Sequence, residues 1–71
     1  MTADSALQAG QNLRVLFHRL NNQLGIILAC AELLELKAAD DVSRTRAAEV
    51  VAKVLDAMGT TKEIRYQTER L

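Results

Sequence analysis

The sequence predicts an all-α protein, an antiparallel two-helix hairpin that pairs with a second copy to form a four-helix bundle. Three observations predict this fold. The 71 residues contain no proline, and apolar residues recur at spacings of three and four, as they do along one face of a helix. Residues 38–43 are the single cluster of turn and capping residues between two periodic segments. We therefore treat residues 1–71 as one domain.

The first helix is predicted over about residues 5–38. Alanine, leucine, glutamine and arginine, all good helix formers, dominate this segment. On a helical wheel, most of its apolar residues fall between about −40° and +80° of Leu20. The members of this main stripe are Leu13, Leu16, Phe17, Leu20, Leu24, Ile27, Leu28, Ala31 and Leu34. We expect the main stripe to form the core.

A short loop over about residues 39–42 precedes the second helix, predicted over about residues 43–69. Asp40 or Asp41 is expected to cap this helix, because an aspartate side chain accepts hydrogen bonds from free backbone N–H groups. Its apolar positions are Ala47, Val50, Val51, Val54, Leu55, Met58 and Ile64. Oppositely charged pairs four residues apart are Glu49 with Lys53 and Arg65 with Glu69. A short connection makes the two helices antiparallel.

A second apolar set on the first helix predicts dimerisation. Val15, Ile26 and Leu33 lie at about −130° from Leu20, outside the main stripe. One partner helix cannot cover both sets, so a second copy of the chain is expected to bury the remainder. A homodimer also suits a chain of this length, which buries only a modest core alone.

Composition excludes several classes of function. Nine basic and nine acidic residues give no net charge, which argues against general nucleic-acid binding. One cysteine and one histidine build neither an internal disulfide nor a zinc site, so we expect no metal or cofactor in this chain. Cys30 sits between the two apolar sets of the first helix and is expected to be a small buried residue. The longest uncharged run, residues 20–31, is too short and polar to span a membrane. The expected location is the cytoplasm.

His18 lies about 160° from Leu20 on the wheel and so is expected to point away from the main core. Gly25 and Ala29 share its face and are small. A glycine within a helix costs roughly 1 kcal/mol relative to alanine, so Gly25 has either of two explanations. It leaves room for a partner that approaches His18, or it permits close packing of helices beside a merely solvated histidine.

The local sequence FHRLNNQL at residues 17–24, followed by GIILACAELL at residues 25–34, resembles the H-box of sensor histidine kinases. In that family the pattern is a histidine, an acidic residue, an aliphatic residue, two asparagines, often a proline, and a leucine. The resemblance implies a dimerisation and histidine-phosphotransfer domain, which is a homodimeric four-helix bundle. It covers the first helix best, and its motif is weak in the second helix.

The resemblance also implies roles for particular residues. His18 is expected to be the phosphoacceptor, which takes a phosphoryl group from ATP held by a separate kinase catalytic domain. It would then pass this group to an aspartate of a response-regulator receiver domain. Asn22 matches the position at which such kinases place an amide or hydroxyl that orients water for dephosphorylation of the regulator.

The sequence departs from the family at two positions. Arg19 replaces the acidic residue that acts on the histidine, and a guanidinium cannot accept a proton. Gln23 replaces the usual proline. The 71 residues hold no ATP-binding domain, so we expect an excised domain or a stand-alone relative, not a self-sufficient kinase. Two functions stay open: a phosphotransfer component, or a non-catalytic dimerisation or docking protein that binds a response regulator or a kinase.

Overall fold

The computed structural model describes residues 3–70, with side chains described from residue 5. Two α-helices make up this part of the chain: α1, Ala3–Lys37, of 35 residues, and α2, Asp41–Glu69, of 29 residues. They pack side by side as an antiparallel hairpin with extents of 58 × 17 × 12 Å. The predicted all-α hairpin is confirmed. Neither helix within residues 3–70 has the length and apolar character needed to cross a membrane.

The turn between the helices is held by side chains of its own acidic residues. Asp40 is the N-cap of α2, with extended backbone angles, and its Oδ1 accepts a hydrogen bond from the Ser43 backbone N–H at 2.7 Å. This hydrogen bond lowers the pKa of the Asp40 carboxyl below its ordinary value, because it favours the charged form. Arg44 pairs with Asp41 at 3.1 Å and donates to the Ala38 carbonyl at 3.3 Å. Of the two predicted caps, Asp40 is therefore the one used.

The seam between the helices is built mainly from small side chains. Ala31 of α1 and Ala47, Val54 and Thr61 of α2 are buried. The Thr61 hydroxyl donates to the Ala57 carbonyl of its own helix at 2.9 Å, so this buried polar group is satisfied. Half-buried residues that flank the seam are Phe17, Leu24, Leu28, Val51 and Met58. Among the described residues, no large side chain is fully buried. The hairpin alone therefore has a thin core.

The main stripe of α1 is divided by the structure. α2 covers the half that contains Leu24, Leu28 and Ala31, whereas the other half stays exposed. Leu20 and its exposed neighbours are therefore outside the core of the single hairpin. We define the open apolar face as the exposed residues Leu13, Leu16, Leu20, Ile27 and Leu34 of α1 with Val50 and Ile64 of α2. It lies beside the seam on both helices.

The second apolar set of α1 lies elsewhere. We define the back stripe as Val15, Ile26 and Leu33, all exposed. On the helical wheel of α1, the back stripe lies about 180–200° from the residues at the centre of the seam. It is therefore on the side of α1 directly opposite α2. The apolar surface that adjoins the seam is thus the open apolar face, and the back stripe is a separate surface.

Two smaller sequence predictions are also wrong. Cys30 is exposed and not buried, because it lies on the side of α1 that α2 does not reach. Within the described chain, Glu49 and Lys53 form no ion pair, while Arg65 and Glu69 do so at 3.2 Å. Solvent-exposed ion pairs of this kind contribute little to stability, so the lack of an ion pair between Glu49 and Lys53 has little energetic consequence.

Candidate functional site

His18 lies near the middle of α1 and its side chain is exposed. On the helical wheel of α1, His18 lies about 100° from the residues at the centre of the seam. It is on the flank of the hairpin opposite the open apolar face. No hydrogen bond or ion pair is found for its imidazole among the described side chains. The wheel's prediction that His18 points away from the core therefore agrees with its exposure. An imidazole in this position is accessible to a reactant from solvent.

Two polar side chains lie one helical turn from His18. Asn22 follows it by four residues and Arg14 precedes it by four, and all three are exposed. Residues four apart on a helix are surface neighbours, with about 5–6 Å between their Cβ atoms. Arg14, His18 and Asn22 therefore form a row along one face of α1. Sequence reasoning identified Asn22 but gave Arg14 no role.

Arg19 is also exposed, on the side of α1 next to the row. Its wheel position differs from that of His18 by about 100°, so the two residues do not stack in the helix. No ion pair is found for Arg19 or Arg14 in the described part of the chain. Residues 5–31 contain no aspartate or glutamate. The surface of α1 around His18 consequently carries positive charge with no acidic residue of its own segment.

Gly25 leaves open space beside the row. A Cβ atom built on Gly25 meets no heavy atom within 4 Å. Close packing of α1 on α2 therefore does not explain this glycine, and that explanation is wrong for the hairpin. Gly10 and Gly59 also have no heavy atom within 4 Å of a built Cβ, so space for a partner beside His18 stays a hypothesis for Gly25.

A shallow groove lies beyond the row, between the start of α1 and the end of α2. We define it as the terminal groove, lined by Leu7, Gly10, Leu13, Arg14, Phe17, Arg65, Thr68 and Glu69, among others. Arg14 thus connects the row with this groove. The Glu69 carboxylate in the groove accepts a hydrogen bond from Arg65 Nε at 3.2 Å.

The row provides one nucleophile and two polar neighbours, and no metal-binding cluster. Within the described residues, no group of three or more histidine, cysteine, aspartate or glutamate side chains converges. Among the side chains that the structure describes, no carboxylate forms a hydrogen bond or ion pair with His18. The chemistry available is therefore reaction of one exposed imidazole with an electrophile that a partner or solvent brings.

Comparison with protein-family models, with curated proteins and with solved structures gave no match.

Proposed function

We propose that this chain is a histidine-phosphotransfer module of two-component signalling, with His18 as the phosphoacceptor. The observation that carries the proposal is the position of His18: an exposed imidazole, in the middle of a long helix of an all-α hairpin, one turn before the exposed Asn22. The H-box-like sequence at residues 17–24 supports the same role. A phosphoacceptor must be approached in line with the phosphorus, which requires this kind of accessibility.

The proposed reaction has two steps. An imidazole nitrogen of His18 attacks the γ-phosphorus of ATP on a separate catalytic domain. A P–N bond forms, the bond from phosphorus to the bridging oxygen breaks, ADP leaves, and the imidazole proton passes to solvent. A receiver aspartate then attacks the phosphohistidine, so that a P–O bond replaces the P–N bond and His18 recovers its proton. In this mechanism Asn22, on the same face, orients a water molecule for later hydrolysis of the aspartyl phosphate.

Dimerisation is part of the proposal, and the exposed surface supports it. The chain exposes 5875 Å², whereas a compact protein of 71 residues exposes about 4,400 Å². The excess is roughly 1,500 Å², and the exposed surface includes the open apolar face, which continues from α1 onto α2. A second copy placed on this face would complete a four-helix bundle and leave His18 on the outside.

A docking protein without phosphotransfer is the second candidate, and Arg19 favours it. An exposed guanidinium stands at the position where the resembled family has a carboxylate, and arginine cannot act as a base. In this alternative, the same dimer binds a receiver or a kinase and never carries phosphate.

Phosphoryl acceptance is the experiment that separates the two functions. The purified protein is incubated with ATP and histidine-kinase catalytic domains, and intact mass is searched for an adduct that is labile in acid and stable in base. His18→Gln is the test variant, because the side chain is exposed and its replacement should leave helicity unchanged. Asn22→Ala serves as a matched control, since it changes the neighbouring position and retains the imidazole.

Each outcome has a defined meaning. An adduct in the native protein and in Asn22→Ala, but not in His18→Gln, supports the phosphotransfer function. Transfer of that phosphate to a receiver domain would complete the case. A dimer that binds receiver domains and takes no phosphate from any kinase supports the docking function instead. If His18→Gln unfolds the hairpin, the assignment of His18 to an exposed functional face is wrong.

A further inference from the structure

We infer that Arg14 binds the phosphoryl group while it is on His18, and that it also attracts anionic phosphoryl donors to the imidazole. This inference rests on the proposed role of His18 and assigns a second residue to that site. The first observation is spacing: Arg14 lies one turn before His18 on the same face, within reach of a group attached to the imidazole.

The second observation is that Arg14 has no hydrogen-bond or ion-pair partner among the described side chains. Arg44 and Arg65 form ion pairs, and Arg70 donates to the Tyr66 hydroxyl at 3.3 Å. Within the described side chains, by contrast, the guanidinium of Arg14 has no hydrogen bond or ion pair. Glu69 lines the same terminal groove as Arg14, but its carboxylate accepts a hydrogen bond from Arg65 and forms no ion pair with Arg14. Arg14 can therefore turn its donors to a ligand without breaking an internal contact.

The third observation is the charge of the surrounding surface. Because residues 5–31 contain no acidic side chain, nothing in this segment opposes a dianionic phosphoryl group on His18. A guanidinium presents two parallel N–H donors that match two phosphoryl oxygens. Arg19, on an adjacent face, adds positive charge but lacks the stacked position of Arg14. The position of Arg14 makes it the ligand of the phosphoryl group.

The test uses potassium phosphoramidate, which needs no kinase. An imidazole nitrogen of His18 attacks the phosphorus, the P–N bond of phosphoramidate breaks and ammonia leaves. The rate of phosphorylation and the half-life of phosphohistidine are followed by intact mass for the native protein and for Arg14→Gln. The matched control is Arg46→Gln, which removes the same charge from an exposed residue of α2. Arg14→Lys tests whether the charge alone is sufficient.

We expect Arg14→Gln to lower the rate constant about two- to fivefold, the range that an exposed charge interaction supplies. The half-life should shorten as well, and the difference in rate, which includes long-range attraction of the anionic donor, should become smaller in 1 M salt. Arg46→Gln should match the native protein, and Arg14→Lys should restore the rate but not the full half-life. Circular dichroism checks that the variants keep their helicity.

Two results would overturn the inference. Equal rates and half-lives in Arg14→Gln and the native protein would show that Arg14 does not contact the phosphoryl group. Equal losses in Arg14→Gln and Arg46→Gln would show an effect of net charge alone. Failure of the proposed function alone is distinguishable, because the adduct then forms on His18 and depends on Arg14, while no kinase or receiver exchanges phosphate with it. Absence of any adduct on His18 would remove both proposals.

Discussion

Replacement of Gly25 by alanine should stabilise the protein. Gly25 is in the interior of α1, where glycine costs about 1 kcal/mol relative to alanine. The added Cβ meets no heavy atom within 4 Å, so no steric penalty offsets this gain. For a domain of this size, about 1 kcal/mol raises the Tm by roughly 4–8 °C. Thermal unfolding followed by circular dichroism, with all samples at one protein concentration, measures the shift.

Gly10→Ala is the matched control on the same helix. Gly10 also has no heavy atom within 4 Å of a built Cβ, and it lies about 22 Å from Gly25 along the helix axis. Both variants should raise the Tm. Only Gly25→Ala should also slow phosphate uptake or weaken receiver binding, because it fills the space beside Asn22 and His18.

A lower Tm for Gly25→Ala together with a higher Tm for Gly10→Ala would contradict the open space beside Gly25. Such a result would mean that in solution the space beside Gly25 is filled, for example by a helix of a second copy. It would also place the dimer contact on the flank of His18 and not on the open apolar face.

The remaining predictions concern the seam and the cap. Val54→Ala should destabilise the hairpin by about 2 kcal/mol, because Val54 is only 7% exposed and the variant loses two buried carbons. The control Val42→Ala, at a position 69% exposed, should change the free energy of unfolding by less than about 0.5 kcal/mol. Equal effects of the two variants in chemical denaturation would contradict the packing described. Asp40→Ala should lower the Tm at pH 7, whereas Asp40→Asn keeps an acceptor for the Ser43 N–H. The lowered pKa of Asp40 stabilises the fold above about pH 4, and this contribution is lost as the pH falls through the pKa of the folded state. The native protein should therefore lose stability relative to Asp40→Asn between pH 5 and 2 in thermal scans, and parallel curves would show that the cap is not charged.

The sequence predicts the elements of this fold well because the signals for them are local. The absence of proline and the helix-forming composition define the two helices, and the capping residue Asp40 places the turn. The predicted helix bounds differ from the observed ones by two residues or fewer, as expected where helix ends depend on caps.

Burial was harder to predict, because it depends on which part of a broad apolar stripe the partner helix covers. The wheel treats Leu20 and Leu24 alike, although α2 lies on the Leu24 side and leaves Leu20 exposed. Thr61 is absent from the predicted apolar positions of the second helix, yet it is buried in the seam, where its hydroxyl donates a hydrogen bond to the Ala57 carbonyl. The wheel places Arg14 on the face of His18 but gives it no role, because its relevance depends on having no partner among the described residues, which only the structure shows.

Two adjacent isoleucines allow the proposed dimer interface to be tested directly. Ile27 is 46% exposed on the open apolar face, and Ile26 is 65% exposed on the back stripe. Neither packs in the seam, so Ile27→Lys and Ile26→Lys should both keep the hairpin's helicity. If a second copy covers the open apolar face, Ile27→Lys buries an unpaired charge in the interface. The buried charge reduces the free energy of dimerisation by about 3 kcal/mol or more. The Kd of the dimer therefore rises more than about 100-fold.

Sedimentation velocity over a range of concentrations distinguishes the two faces. Dissociation of Ile27→Lys alone supports the four-helix bundle on the open apolar face. Dissociation of Ile26→Lys alone would place the interface on the back stripe, directly opposite α2, and the dimer would then be paired back to back along α1. Since the back stripe adjoins the row of His18, such a dimer would crowd the imidazole. The choice of interface therefore decides whether His18 is accessible in the assembled protein, and with it whether the proposed phosphotransfer is sterically allowed.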